Sequence, residues 1–406
     1  MWKNYLNLPR PVYTLCLGSF INRAGTLVII FLALYVQREL GLGVAVATWT
    51  LSAFGFGALI ASLIGGHLAD RIGRRTVMAI ALFGGAGILL LFSSLRSPLA
   101  IVAAAFSFAL LSEMYRPAAS AMIADLVEPA RRNHAFGLMY FSINLGFSVA
   151  PVVGGILATY SYRWLFWGDA LTASIYGGLI LVAIRETLPS RTKEGTTVRA
   201  GREGNGVAPE SIPISKAFAR VLSDRAFMIF VGATFLTAMI FMQYLSTLPV
   251  YLMRYGIGEG TYGRLIAVNG IMIVALQLPL TAFFSRFHRG TIVALGAVVT
   301  GIGFGLTGVV TQTPLFALTI AFWTMGELLQ APFLPAVISD MAPKDLRGRY
   351  MGVFSTSFSG ALMIGAPLGG FVLERFGAAY VWGGCCALGV LAEILFLTIH
   401  KQMGVK

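Results

Sequence analysis

Apolar runs of about twenty residues, the length a helix needs to cross about 30 Å of hydrocarbon, recur along this chain between short polar stretches. Twelve such runs can be marked, at 13–36, 44–66, 77–95, 99–126, 134–160, 164–184, 226–255, 261–284, 291–312, 314–340, 350–374 and 379–400. The first has a basic lead, Lys3 and Arg10, and no small-residue cleavage site behind it, so it reads as a retained span rather than a signal peptide. The longest polar interruption runs from Arg185 to Pro213, rich in Gly, Thr, Arg and Glu. Such a stretch cannot bury enough apolar surface to fold alone, which predicts a flexible linker. After it, ISKAFARVLSD (Ile214 to Asp224) has the pattern of a short amphipathic helix at the membrane interface. The expected organisation is a six-helix bundle over 1–185, a linker over 186–225 and a second six-helix bundle over 226–406.

The two halves are copies. A shift of about 215 residues superimposes polar landmarks as well as apolar runs. YVQREL at Tyr35 answers YLMRYG at Tyr251, and DRIGRRT at Asp70 answers SRFHRGT at Ser285. IADLVEPARR at Ile123 answers ISDMAPKDLR at Ile338, and FWGDA at Phe166 answers VWGGC at Val381. Apolar low complexity alone does not place Arg, Asp, Pro and Trp in register. The reading is an all-α integral membrane protein whose twelve transmembrane helices form two pseudo-symmetric bundles, the arrangement of a rocking transporter with its site between the halves.

Composition agrees: 57% of the residues are hydrophobic and 12% charged, about half the charged share of a soluble domain. The net charge of +13 would suggest nucleic acid in a soluble protein, but its distribution points elsewhere. The side opposite the termini carries only Arg38, Arg96, Arg163, Arg254, Arg264 and Arg375, and nearly all remaining Lys and Arg fall on the terminal side or in the central linker. Basic loops stay in the cytoplasm during insertion, so both termini are expected there, in an inner membrane, with lipid as partner and no nucleic acid. Cys16, Cys385 and Cys386 lie inside spans, as buried thiols without disulfide or metal spacing. The four histidines, His67, His134, His288 and His400, lack metal spacing, and no phosphate-cradling Gly-Lys-Ser/Thr loop appears. Enzymatic activity, ATP-driven pumping and cofactors are not expected.

Charge gathers in GGHLADRIGRRTV between the second and third spans. With Gly66, Asp70, Arg71, Gly73, Arg74 and Arg75 at matching positions, it resembles the Gly-x-x-x-Asp-Arg-x-Gly-Arg-Arg loop motif of the major facilitator superfamily, and the resemblance covers essentially the whole chain. GFSVAPVVGG in the fifth span, with Gly146, Pro151, Gly154 and Gly155, is similar to the antiporter motif of that superfamily's drug:proton exporters. Ala150 departs from it where the motif has Gly. A mid-span Pro frees a carbonyl and bends the helix, while the glycines admit a neighbouring helix, so plain packing explains the same residues. GAPLGG at Gly365 repeats the device in the eleventh span. The resemblance further implies that Asp70 meets the N-terminus of the eleventh span, where the helix dipole favours an anion, and that Arg74 pairs with Asp125. The repeat returns Arg289 and Asp340 but has Ser285 for Asp70. The expected result is a cytoplasmic gate, unequal between halves, whose two pairs close when the cavity opens to the outside. Arg71 and Arg75 can equally serve orientation alone.

Ionisable residues inside hydrocarbon are costly unless paired or hydrated and are therefore functional candidates. Arg23, Glu113, Arg116 and Glu327 share a mid-span depth, whereas Asp169 lies nearer the outer surface and Glu393 on the last span, both read as structural. Glu113 and Arg116, three apart on one helix, either neutralise each other or form a substrate or coupling pair. Glu327 has no basic neighbour within a turn, and burial penalises an unpaired carboxylate, so it is the expected principal proton site. Asn22, Tyr115, Tyr140, Asn144, Gln243, Tyr244, Asn269 and Trp323, at similar depth, are expected to line the substrate cavity with Arg23 and Arg116. The expectation is a secondary transporter, working as a monomer, that exports small amphipathic compounds or drugs against protons by alternating access. Uptake of a peptide-like zwitterion, passive facilitation and a non-transporting receptor remain open.

Overall fold

A computed structural model of the chain describes residues 8–128, 131–187, 214–343 and 346–403. The expected linker falls largely outside the described residues; its downstream helix, Ile214–Ser223, is present. Every regular element among the described residues is helical. Among the described residues, eleven helices are long and apolar enough to cross a membrane: Arg10–Glu39, Val44–Ile72, Arg74–Phe92, Pro98–Leu126, His134–Tyr160, Arg163–Ala183, Arg225–Met253, Glu259–Phe284, Arg289–Leu306, Arg349–Arg375 and Ala378–Thr398. The segment expected as the tenth span is not among them; it runs as two helices, Thr313–Gln330 and Leu334–Met341. The spans are counted below in chain order, with this split segment as the tenth.

Four spans are interrupted in mid-course. The first breaks at Gly25–Leu27, the fourth at Glu113–Met114, the seventh at Met242–Ser246 and the tenth at Ala331–Phe333. Proline explains three of these. Pro117, Pro249 and Pro335 have no N–H for the carbonyls of Glu113, Leu245 and Ala331 four residues back, so the ladder fails beside each. In the first span Gly25 packs against Thr172, and the helix restarts at Val28, whose N–H is accepted by Asp169 Oδ2 at 3.3 Å.

Packing sorts the spans into a first group of six and a second group of six. Two long seams join the groups, the second span against the eleventh and the fifth against the eighth. Both seams are built on small residues. A Cβ at Gly263 would collide with the Pro151 carbonyl, one at Gly270 with Ser148, and one at Gly55 with the backbone of Ser359 and Met363. These contacts, with Ser52 donating to the Met363 carbonyl at 2.5 Å and Gly370 seated on Thr48, lie in the half of the molecule away from the termini. The halves are thus clamped at one end of a central cavity.

Candidate functional site

The cavity between the halves has a volume of about 600 Å³, within the range of small-molecule sites. All four interrupted spans line it. Asn22 and Arg23 come from the first, Glu113, Tyr115 and Arg116 from the fourth, Tyr244 from the seventh and Glu327 from the tenth, with Tyr140 and Asn144 from the fifth and Asn269 from the eighth. Phe54, Phe108, Phe147, Phe241 and Phe358 add aromatic faces to a wall that is otherwise mostly aliphatic. Two expected members lie elsewhere. Trp323 is 1% exposed and packs against Phe304, Phe241 and Tyr244 behind the wall. Gln243 is spent on helix packing, donating to the carbonyls of Met239 and Gly365 at 3.1 and 3.0 Å and accepting from Thr247. Both side chains face neighbouring helices rather than the cavity.

The charged groups differ in how they are compensated. Glu113 and Arg116 pair at 2.8 Å across the break in the fourth span, with the guanidinium half exposed. Arg23 is buried, donates through Nη2 to the Tyr115 hydroxyl at 2.7 Å, and lies over the Tyr115 and Phe147 rings at 5.4 and 5.3 Å. Its Nε is buried without a hydrogen-bond partner. Glu327 Oε2 accepts from Asn269 Nδ2 at 2.7 Å, and no ion pair to Glu327 forms among the described residues. Asp169, expected to serve structure, holds the restart of the first span and also lines the cavity.

At the end away from the termini, Arg38 Nη1 meets both oxygens of Glu259 at 2.8 Å, and the Tyr162 hydroxyl donates to Glu259 Oε1 at 2.6 Å. This cluster joins the two halves. Burial, and the Glu259 carboxylate beside it, raise the Tyr162 phenol above the ordinary tyrosine value, so it stays a donor. At the terminal end the cavity is open, with Tyr140 on its wall 46% exposed.

The residues expected to form a gate lie at that open end. Arg74 pairs with Asp125 at 3.1 Å and Asp70 at 3.4 Å, and Arg289 pairs with Asp340. These pairs were expected to close when the cavity opens away from the termini; they are formed here with that end shut, because each lies within one half. Asp70 is also displaced from expectation. Its carboxylate is 69% exposed and, among the described residues, its ion pair is to Arg74. Asp70 was expected at the start of the eleventh span; the helix start capped by a carboxylate here is that of the third span, and the cap is a residue missed in the sequence, Glu186, which accepts the amides of Arg74 and Arg75 at 2.9 and 3.0 Å. Thr187 extends the cluster, donating to Asp125 Oδ2 at 2.9 Å. Arg75 donates to the Leu181 carbonyl, and Arg71 is exposed. Gly73 has φ 102° and faces the Glu186 carboxylate, whereas Gly66 has room for a side chain at ordinary contact with Pro117, and it is Gly65 that packs tightly on Pro117 and Met114. In the second half the helix start is capped by His288, whose Nδ1 accepts from Gly290 at 3.1 Å, with His400 stacked on it. Burial and the neighbouring His288 hold His400 below the ordinary histidine value.

The fifth-span residues divide between two contacts. Gly146 lets the first span approach at Phe20 and Arg23, and Gly154 receives the Phe31 ring. Gly155 and the carbonyl of Pro151 meet Gly260 and Gly263 across the seam. Ala150, where the motif has Gly, is fully buried.

The sequence profile of the Major Facilitator Superfamily matches residues 15–328 and 255–403. A Na(+), Li(+), K(+)/H(+) antiporter of Planococcus maritimus is 28% identical over 403 residues, covering 93% of this chain and 92% of its own. The multidrug resistance protein MdtH of Yersinia enterocolitica is 21% identical over 77% of this chain and 74% of its own. The crystal structure of a POT family transporter in complex with 5-aminolevulinic acid superimposes with a TM-score of 0.80 at 17% identity, covering 97% of this chain and 96% of that one.

Proposed function

Since the chain belongs to the major facilitator superfamily, and is a multi-pass membrane transporter rather than an enzyme, we propose that it exports small amphipathic compounds in exchange for protons. The halves 1–185 and 226–406 rock about the two seams, with both termini on the cytoplasmic side of an inner membrane. The excess of Lys and Arg on the terminal side supports that orientation.

One observation carries the reading: Glu327 faces the cavity without an ion-pair partner among the described residues, while Glu113 is held by Arg116. A lone carboxylate in hydrocarbon must be neutralised by a proton or by a ligand carrying positive charge. Proton and substrate then compete for one carboxyl, and each drives release of the other. Glu113 with Arg116, and Arg23 with its spare Nε donor, contact the bound compound, and the aromatic and aliphatic faces of the wall take its apolar body. An antiporter and a multidrug resistance protein among the relatives support exchange and amphipathic cargo. In proteoliposomes, Glu327→Gln is expected to abolish accumulation driven by a pH gradient while keeping substrate exchange at zero gradient. Gradient-driven accumulation at the wild-type level in that variant would refute the assignment.

A further inference from the structure

Glu327 has a second neighbour that the transport reading leaves unused. Behind it lies a separate chamber of about 90 Å³, walled by Thr234, Thr237, Thr300, Gln330 and Glu327 among apolar residues. That is about three times the volume of a water molecule in the liquid, too small for an organic compound. Glu327, Phe241 and Phe358 line both spaces, so Glu327 borders the chamber as well as the main cavity.

The hydrogen bonds around the chamber leave it mainly oxygen lone pairs. Thr234, Thr237 and Thr300 spend their hydroxyl hydrogens on the carbonyls of Phe230, Ala233 and Gly296, at 2.9, 3.1 and 2.8 Å. Gln330 donates one of its two amide hydrogens to the Val293 carbonyl at 3.0 Å and keeps its amide oxygen as an acceptor. Glu327 Oε2 is held by Asn269, which leaves Oε1. All four neutral side chains are buried. No basic side chain lines the chamber, so its formal charge is that of one carboxylate.

We propose that this chamber binds one small monovalent cation, sodium or lithium, held by Glu327, Gln330 and the three threonine hydroxyls. Hard oxygen donors suit an alkali cation, and a single negative charge balances a monovalent ion but leaves a divalent one uncompensated in a low dielectric. Bound there, the cation neutralises Glu327 as a proton does, so sodium and proton exclude each other. In its consequence for transport the inference rests on the reading of Glu327 as the coupling carboxyl.

The test is saturable binding of radioactive sodium to the purified protein in detergent at constant ionic strength, with choline as the replacement cation. Wild type is expected to bind sodium, lithium to compete, and acidification to displace it. Thr237→Val should weaken binding about tenfold or more, as loss of a supporting group at a metal site does. Thr237→Ser, which keeps the oxygen, should bind as wild type, and Glu327→Gln should not bind. Should the valine variant fail to fold, a lithium-induced rise in unfolding temperature, present in wild type and absent in Glu327→Gln, answers the same question. A wild type without saturable sodium binding, the chamber then holding water only, overturns the site even if Glu327→Gln uncouples protons. Sodium binding that survives while Glu327→Gln leaves proton coupling intact upholds the chamber and overturns the proton assignment instead.

Discussion

Gly73, at φ 102°, turns the chain from the second span into the third so that the amides of Arg74 and Arg75 face the Glu186 carboxylate. A side chain at this position would be strained and would strike that carboxylate. Glu186→Ala is expected to lower stability by about 1 kcal/mol, the usual value of an N-cap. It should also speed hydrogen exchange over the first turn of Arg74–Phe92, with Glu186→Gln falling between the two. Unchanged exchange in the alanine variant would remove the cap from the account. The spacing of Gly73, Arg74 and Arg75 was legible in the sequence, but the cap was not, because its carboxylate arrives from the far end of the sixth span. Trp323 and Gln243 show a second limit: hydropathy gives depth along the membrane normal, whereas the direction a side chain faces depends on which neighbours its helix meets.

Among the elements, the spans themselves were readable because hydrocarbon demands a long apolar run wherever a helix crosses. Their interruptions were not read, although Pro117, Pro249 and Pro335 stood in view, because an apolar run continues through a break without change of composition. The breaks matter because broken helices expose backbone polar groups only where protein or a cavity can meet them. At the first break Asp169 takes the freed Val28 N–H. Asp169→Ala should therefore destabilise the protein by about 1–3 kcal/mol, the range for an orphaned buried donor. Asp169→Asn, which keeps an acceptor, should cost clearly less. Equal losses of unfolding temperature in the two variants would count against a capping role and favour one that needs the charge.

For the whole molecule, the sequence repeat announced two halves, and the glycines of the fifth span announced a close helix contact; the seams carry both. Which end is shut was not legible, since Arg38 and Glu259 are far apart in the chain and close the molecule only through the packing of its halves. With that end clamped and the terminal end open, a compound and a proton reach Glu327 from the same side. The central claim is that they cannot occupy it together. The direct measurement is proton release on ligand binding, followed with a pH indicator in weakly buffered detergent solution as a lipophilic cation such as tetraphenylphosphonium is added. Wild type should release up to about one proton per cation bound, approaching one at the acid end of the range and falling as pH rises, as linkage at a single shared carboxyl requires. Glu327→Gln should bind the cation more weakly and release no proton. Release from Glu327→Gln equal to wild type would contradict the account.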